Sequence, residues 1–272
     1  MQGHSAGRRM IDPGLDGRVA IVTGTDLSLG IGAATARALA KHGVSLLLTH
    51  QHREPKDLLD ELAKTGVRAE SMRVDLADVR SVPAIFDRAE ASLGPVQILV
   101  NNAAASGSDS FKPDAEGTRD WARREQRTIT AATHDYIFAV NTRAVALLMA
   151  EFAKRAAASG SGWGRIVNLS TDGAHRFPGE VSYGASKLAI EAYSRAAAVE
   201  LASLGITVNI VSPGPTQTGW IPADQEDEIA RAIPLGRVGR PEDIADSVLF
   251  FCSVQAGWLT GQTLYAGGGH RM

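Results

Sequence analysis

Short runs of consecutive apolar residues recur along this chain, and a helical pattern separates each run from the next. No tight-turn signal joins two runs directly, so neighbouring strands are predicted to be parallel. The runs are continuously apolar instead of alternating, which is typical of strands that helices cover on both faces. The sequence therefore predicts an α/β fold: a single-domain, Rossmann-like, doubly wound parallel sheet with helices on both faces.

The predicted elements follow the apolar runs and the glycines or prolines that end them. Strands are predicted at residues 18–22, 44–49, 68–74, 96–100, 165–169 and 206–211, and helices at residues 31–42, 56–64, 78–93, 139–158 and 183–204. Residues 1–16 are polar and are predicted to form a flexible arm or leader before one domain at 17–272. Residues 106–135 are long for a loop of this fold, and are predicted to be a lid or substrate-side insertion with one helix.

Composition narrows the classes of function. The formal net charge is -2 over 272 residues without a long basic run, so neither nucleic acid nor an anionic membrane is an expected partner. Cys252 is the single cysteine, and His50 and His52 have no further ligand at suitable spacing, so no metal site is expected. No apolar run approaches the roughly 18 residues of a membrane span. We therefore expect a cytoplasmic protein that acts on a small molecule.

The turn after the first predicted strand runs from Thr23 to Gly32 and is rich in glycine. Glycines at this point let the backbone approach a pyrophosphate, which also gains from the exposed amide groups that open the next helix. Glycines that serve only a tight turn are the alternative. The position of the turn, between the first strand and the first helix, favours a bound dinucleotide.

The end of the second predicted strand bears on which dinucleotide is bound. An acidic residue there would bind the adenosine ribose of NAD, whereas this sequence has Thr49, His50, Gln51, His52 and Arg53. Arg53 and the histidines offer positive charge to a 2′-phosphate. This favours NADP(H) over NAD(H) as the cofactor, and the alternative is that Arg53 is only a solvated loop charge.

Tyr183 and Lys187 lie four residues apart on a predicted helix, so their side chains project from one face. A phenol has an ordinary pKa of about 10, and a nearby ammonium group is expected to lower it toward neutral pH, where the phenol can exchange a proton. Alone, such a pair is more often accidental than catalytic. Ser170, at the end of the fifth strand, and Asn141, in the preceding helix, approach the same edge of the sheet and favour a catalytic site.

These residues belong to a series of motifs that resembles the classical short-chain dehydrogenase/reductase family from about Gly17 to Gly269. The matching positions are Thr23-Gly24 to Gly32, Asp75-Leu76, Asn101-Asn102-Ala103-Ala104, Asn141, Ser170, Tyr183-Gly184-Ala185-Ser186-Lys187, Pro213-Gly214-Pro215-Thr216-Gln217-Thr218, Thr260-Gly261-Gln262 and Gly267-Gly268. Agreement in this order is not expected by chance.

The resemblance implies an oxidoreductase that interconverts a carbonyl and a secondary alcohol with NADP(H) or NAD(H). It implies that Tyr183 donates a proton to the carbonyl oxygen, that Lys187 tunes Tyr183 and holds the nicotinamide ribose, and that Ser170 orients the substrate. Asn141 would complete a proton relay through a bound water. With the residues that end the second strand, the predicted cofactor-binding set is Gly24, Thr25, Leu29, Gly30, Ile31, His50, Arg53, Asp75, Leu76, Asn102, Ala103, Ala104, Tyr183, Lys187, Pro213, Gly214, Thr216 and Thr218.

Two departures from the family pattern affect individual assignments. The glycine turn has five residues between its first two glycines, where the family usually has three, and it carries Asp26, whose side chain is expected to point away from a phosphate. The second departure from the family pattern concerns the hydroxyl group that would orient the substrate. Counting back 13 residues from Tyr183 selects Ser170, which we prefer, whereas counting forward along the strand selects Thr171.

Among subfamilies, the chain most resembles proteins labelled 3-oxoacyl-carrier-protein reductases, on residues 205–209 and 235–243. Those segments are scaffold, so a sugar, a steroid or another secondary alcohol is nearly as well supported. A non-catalytic nucleotide-sensing or scaffold protein would keep the same fold, but the intact Asn, Ser, Tyr and Lys set disfavours it. Because the family commonly forms tetramers through its long helices, a homo-oligomer, tetramer or dimer, is expected.

Overall fold

The computed structural model describes residues 12–119 and 123–271. Its strands are β1 (Val19–Val22), β2 (Ser45–His50), β3 (Ala69–Arg73), β4 (Ile98–Asn101), β5 (Asp109–Ser110), β6 (Arg127–Thr128), β7 (Gly164–Leu169), β8 (Ile206–Pro213) and β9 (Thr263–Ala266). Its α-helices are α1 (Ile31–Ala40), α2 (Lys56–Ala63), α3 (Ser81–Ser92), α4 (Ala131–Phe138), α5 (Ala144–Ser159), α6 (Val181–Glu200), α7 (Glu226–Arg231) and α8 (Pro241–Cys252).

Seven of these strands form one parallel sheet in the order β3-β2-β1-β4-β7-β8-β9. The chain builds outward from β1 to β3 and then returns to place β4 against the other side of β1. In open α/β sheets, ligands bind outside the carboxyl ends of the strands where the strand order reverses. The crevice between the ends of β1 and β4 is therefore the expected site.

Helices cover both faces of the sheet, which explains why its central strands carry consecutive apolar residues instead of alternating ones. Ile21, Leu99 and Ile166 point into a core shared with α3, α5 and α6. Their strand neighbours Val22 and Val100 point into the opposite core, shared with α1, α2 and α8. All five side chains are essentially inaccessible to solvent. The predicted doubly wound α/β sheet is confirmed.

Each predicted strand and helix is present, with its ends shifted by a few residues. Helices α7 and α8 and strands β5, β6 and β9 were not predicted from the sequence. For α8 the local signals are present, because Pro241 occupies its first turn and acidic residues follow. Strand β9 has only four residues, all of them partly or fully exposed, and its apolar stretch, Leu264-Tyr265-Ala266, is too short to predict a strand.

The N-terminal segment and the predicted insertion at residues 106–135 both differ from what the sequence predicted. Residues 1–11 of the predicted arm lie outside the described residues, and the flexible arm is wrong for residues 12–16, because Leu15 is fully buried and the Val254 amide donates to the Pro13 carbonyl at 2.9 Å. Within the predicted insertion, β5 and β6 pair as a two-stranded parallel sheet. Helix α4 then begins behind a capping box formed by Thr130 and Thr133.

The helical run Ala131–Ser159 has the length and a mean hydropathy, 1.3, that would allow it to cross a membrane. Its sequence contains no unbroken apolar run of this length, because charged residues interrupt it. In the structure 56% of its most apolar window is buried inside the protein, as in a core helix.

Candidate active site

A cleft of about 1350 Å³ opens at the carboxyl ends of the strands, as the sheet topology predicts. Predicted residues that line it are Gly24, Leu29, Gly30, Ile31, His50, Arg53, Leu76, Asn102, Ala103, Ala104, Ser170, Tyr183, Lys187, Pro213, Gly214, Thr216 and Thr218. The fold thus brings most of the predicted set together. Thr25, Asp75 and Asn141 are not part of the cleft wall. Thr25 is buried against the Thr49 carbonyl, and Asp75 accepts the Ala77 amide in a local turn.

The glycine turn after β1 is braced by the segment after β4. Asn102 Nδ2 donates to the carbonyl oxygens of Thr23 and Gly24 at 2.9 and 2.8 Å. Thr23 Oγ1 in turn accepts the amides of Asn102 and Ala103. A Cβ on Gly32 would lie 2.5 Å from the Gly24 carbonyl oxygen, so this glycine is required by close approach within the protein.

The start of α1 fits an anionic group of a dinucleotide. Its N-cap residue is Gly30, which provides no side-chain hydrogen bond to the first-turn amides. Those amide groups and the positive end of the helix lie at the cleft wall, where Gly30 and Ile31 line it. The length of the cleft, from this helix start to Tyr183, accommodates an extended ligand, so the residues present fit a nicotinamide dinucleotide.

The carboxylate of Asp26, a residue of the glycine turn, lies at the end of β2. Asp26 Oδ1 accepts the backbone amides of Gln51, His52 and Arg53 at 3.0, 2.7 and 3.2 Å. Partial burial raises the pKa of Asp26, but the three amide hydrogen bonds outweigh it and hold the pKa below its usual value. The premise that no carboxylate lies at this strand end is therefore wrong, because the glycine turn supplies one.

The catalytic end of the cleft is formed by α6. Lys187 is 2% exposed, and its Nζ donates to the Leu169 carbonyl at the end of β7, at 2.8 Å. The same Nζ lies 5.7 Å from the centroid of the Tyr183 ring. Tyr183 is half-buried and packs edge-on against Phe177, with ring centroids 5.7 Å apart. One helix face thus places both predicted side chains at the cleft, as their four-residue spacing required.

The electrostatics of the pair differ from expectation. Burial lowers the pKa of Lys187 to about 8. Burial also raises the pKa of Tyr183 above its ordinary value, and the carboxylates of Glu180 and Asp172 add to this, whereas Arg124 opposes it. The expected lowering of the Tyr183 pKa by Lys187 is thus wrong for this arrangement. A tyrosine that stays protonated at neutral pH is suited to proton donation.

The choice between Ser170 and Thr171 depends on which hydroxyl is free. Ser170 is 4% exposed, and its Oγ donates to Glu191 Oε1 at 2.8 Å. Glu191 is fully buried and also accepts from Arg195. Thr171 lines the cleft, and within the described residues its Oγ1 accepts only one long hydrogen bond, 3.4 Å, from the Gly173 amide. These contacts favour Thr171 over the preferred Ser170 as the hydroxyl that meets a substrate.

Asn141 is fully buried in a π-helical turn, Ala139–Arg143, that links α4 to α5. Its side chain accepts the Ala105 amide at 2.7 Å and donates to the Ala105 carbonyl at 2.8 Å, and it also donates to Ser186 Oγ at 2.9 Å. Asn141 therefore joins the segment after β4 to α6. Single π-helical turns are frequent at functional sites.

The substrate side of the cleft contains residues that sequence reasoning missed. Asp172 Oδ2 lies 2.8 Å from His270 Nδ1, and both residues line the cleft. Glu180 forms a largely buried ion pair with Arg124 of the predicted insertion, and both also line it. No local motif identifies these pairs, because each joins positions that are 56 or 98 residues apart.

Comparison with known proteins gives concordant matches. Residues 25–271 match the protein family described as "Enoyl-(Acyl carrier protein) reductase". The chain is 36% identical over 256 residues to "Uncharacterized oxidoreductase YjdA" of Bacillus subtilis, covering 93% of this chain and 96% of that protein. It is 34% identical over 257 residues to a "Cis-4-hydroxycyclohexanecarboxylate dehydrogenase" of Sinomonas cyclohexanicum, with the same coverage of 93% and 96%.

Solved structures agree with these sequence matches. A putative short-chain alcohol dehydrogenase from Sinorhizobium meliloti superposes with a TM-score of 0.84 at 29% identity, covering 96% of this chain and 98% of that one. A short-chain dehydrogenase/reductase from Serratia marcescens gives a TM-score of 0.83 at 28% identity, covering 95% and 99%.

Proposed function

The chain belongs to the classical short-chain dehydrogenase/reductase family, and from this premise we propose that it interconverts a carbonyl and a secondary alcohol with Tyr183 as general acid and base. Its relatives support a carbonyl/alcohol oxidoreductase, and members of the family use NAD(P)(H). The observation that carries the proposal is the placement of Tyr183 and Lys187 on one face of α6 at the cleft, with Lys187 fixed to the end of β7.

Each residue of the proposed site has a distinct task. A bound nicotinamide nucleotide supplies the hydride for reduction and accepts it in oxidation. Tyr183 donates its phenolic proton to the carbonyl oxygen, and its raised pKa keeps that proton in place until negative charge develops on the oxygen. Thr171 hydrogen-bonds the same oxygen and orients it. Lys187 would hold the ribose of a bound nucleotide, and Asn141 positions α6 through Ser186.

We propose a substrate class that is broader than the 3-oxoacyl thioesters suggested by the subfamily resemblance. A 3-oxoacyl thioester is one candidate, and a cyclic hydroxy acid is another because a similar protein is named as a dehydrogenase of such a compound. Two polar pairs at the cleft, Asp172 with His270 and Glu180 with Arg124, support a substrate with polar groups besides the reacting carbonyl.

We also propose a cytoplasmic homo-oligomer. The single cysteine, Cys252, is buried and free, which suits a reducing compartment. Val199 of α6 is 81% exposed, and Leu147 of α5 and Tyr193 of α6 are 38% and 50% exposed. Apolar side chains of this kind on two long helices support an interface between copies of the chain.

The test is a panel of carbonyl compounds assayed with NADPH and with NADH by the absorbance of the reduced nicotinamide. The panel contains a 3-oxoacyl thioester, an oxocyclohexane carboxylate, a keto sugar and a steroid ketone. For every compound that is reduced, Tyr183→Phe is expected to lower kcat by about a thousandfold, because it removes the proton donor. Nucleotide affinity should stay within about threefold, since the ring remains in place.

Tyr193→Phe provides the matched control, because it removes a phenolic hydroxyl from the same helix at a half-exposed position. It should leave kcat unchanged. Equal turnover by wild type and Tyr183→Phe would contradict the proposed role of Tyr183. Tight nucleotide binding without turnover of any carbonyl would favour a nucleotide-sensing protein.

A further inference from the structure

We infer that Asp26 makes this protein discriminate against NADP(H) in favour of NAD(H). The inference deepens the proposed function and rests on it only in requiring that a nicotinamide dinucleotide binds in the cleft. It reverses the preference for NADP(H) that the residues after β2 had indicated.

The extended glycine turn makes this arrangement possible. Five residues separate Gly24 from Gly30, and Asp26 is the second of them. The turn reaches from the end of β1 to the end of β2, where Thr25 Oγ1 donates to the Thr49 carbonyl at 3.1 Å. This anchor places the next side chain, that of Asp26, against the loop between β2 and α2.

The amides that Asp26 binds are the donors that an anion at the end of β2 would need. Three consecutive backbone N–H groups, those of Gln51, His52 and Arg53, converge on one carboxylate oxygen. Converging amides of this type form an anion-binding concavity. Because an internal carboxylate already fills it, a 2′-phosphate finds neither free amide donors nor a neutral surface.

The location of the Asp26 carboxylate, at the end of β2, determines which nucleotide it favours. In dinucleotide-binding sheets of this type, the adenosine ribose lies at the end of the second strand, where an acidic side chain accepts a hydrogen bond from its 2′-hydroxyl. Asp26 brings a carboxylate to that place from the preceding turn, and it lies in the cleft wall with Gln51 and Arg53. It therefore attracts a ribose hydroxyl and repels a phosphate.

Arg53 is the opposing charge, and its side chain is held less firmly. The residue is exposed, and its only hydrogen bond within the described residues is the one from its backbone amide to Asp26. An exposed guanidinium loses side-chain entropy when it pairs and is screened by salt. The half-buried Asp26, fixed by three hydrogen bonds, loses no such freedom and dominates the discrimination.

The test measures binding of NADH and of NADPH, without a carbonyl substrate, by calorimetry or nucleotide fluorescence. Wild type is expected to bind NADH at least about tenfold more tightly, a difference of about 1.4 kcal/mol. Asp26→Asn keeps an oxygen for the three amides but removes the charge, so it should shift the ratio of the two dissociation constants about tenfold toward NADPH. Asp26→Ser, which is also uncharged, should shift it in the same direction.

Glu54→Gln is the matched control. It removes the same charge from the same loop, but Glu54 is exposed and lies beside Lys56, so the ratio should change by less than about twofold. Equal weakening of both nucleotides by Asp26→Asn and Asp26→Ser would overturn the inference, because a merely structural role predicts that result. A wild-type preference for NADPH would also overturn it. Failure of both nucleotides to bind wild type would overturn the proposed function as well.

Discussion

The two ends of the cleft are held in different ways. At the catalytic end, Lys187, Asn141 and Ser170 are buried, and each is hydrogen-bonded to a different element of the core. At the nucleotide end, Leu27 and Leu29 of the glycine turn are 58% and 70% exposed. The side chains at the first end are thus positioned by the same contacts that stabilise the fold, whereas the nucleotide end depends on a surface turn.

This difference separates the expected effects of substitution. Removing a buried side chain that is fixed by core contacts lowers the free energy of unfolding, whether or not that side chain contacts the substrate. A side chain on an exposed turn contributes little to folding but contacts the ligand when it binds. Substitutions at the two ends should therefore be distinguishable by measuring stability and binding in parallel.

After Tyr183→Phe, the largest effect is expected at Thr171. Thr171→Val removes the hydroxyl that we place beside that of Tyr183 against the substrate oxygen, and it should lower kcat about a hundredfold, as loss of one stabilising donor does in other enzymes. The free energy of unfolding should change little, because within the described residues Thr171 Oγ1 makes only one long contact. Steady-state kinetics with the best carbonyl from the panel measure the effect, and Thr171→Ser, which keeps the hydroxyl, should retain most of the activity.

Ser170→Ala is the neighbouring comparison. It leaves Glu191 Oε1 buried without its partner, which should reduce the free energy of unfolding by about 1–3 kcal/mol. Its kcat should fall by less than about threefold if Thr171 orients the substrate. The opposite result, with Ser170→Ala inactive and Thr171→Val active, would restore Ser170 to that role.

The contacts of Ser170 are a feature of the site that could not be predicted from the sequence. The edge of the sheet, the helix face of Tyr183 and Lys187, and the glycine turn were all predictable, because each follows from strand order or helical periodicity. Which of the two adjacent hydroxyls is already hydrogen-bonded within the core was not, since that depends on the contact of Ser170 with Glu191, 21 residues further along the chain. This contact is what favours Thr171 over Ser170.

The remaining misses have a common physical cause. The position of Asp26 depends on contacts with amides 25 to 27 residues away, and the Asp172 and His270 pair joins the end of β7 to the C-terminal segment. Such contacts form only after the strands have paired, so no local pattern encodes them. The short, half-exposed strand β9 was not predicted for a related reason. Its strand conformation depends more on pairing with its neighbour β8 than on its own residues.

Lys187 allows the catalytic end to be tested through pH. Its pKa is about 8 in the folded protein and about 10.4 when unfolded, so between these values the unfolded chain binds more protons and stability rises with pH. Below pH 8 the buried ammonium destabilises the fold by a constant amount, about 3 kcal/mol. Lys187→Met removes this contribution, although it also loses the hydrogen bond to Leu169.

The variant should therefore be more stable than wild type at pH 7, and this advantage should shrink by about 2–3 kcal/mol as the pH rises to 10. Urea unfolding of both proteins at several pH values measures the difference. A difference that does not change with pH would show that Lys187 has an ordinary pKa. That result would also contradict the burial of the Lys187 ammonium group at this end of the cleft.

The smallest effect is expected at Leu29. It tests whether the nucleotide end of the cleft is formed by a surface turn that contributes little to folding. Because its side chain is 70% exposed, Leu29→Ala should change the free energy of unfolding by less than about 0.5 kcal/mol. The bound nucleotide should cover this side chain, so the dissociation constant should rise by about threefold for NADH and NADPH alike, unlike the selective shift at Asp26. A large loss of stability in urea unfolding would mean that the glycine turn is part of the core after all, and that the two ends of the cleft are held in the same way.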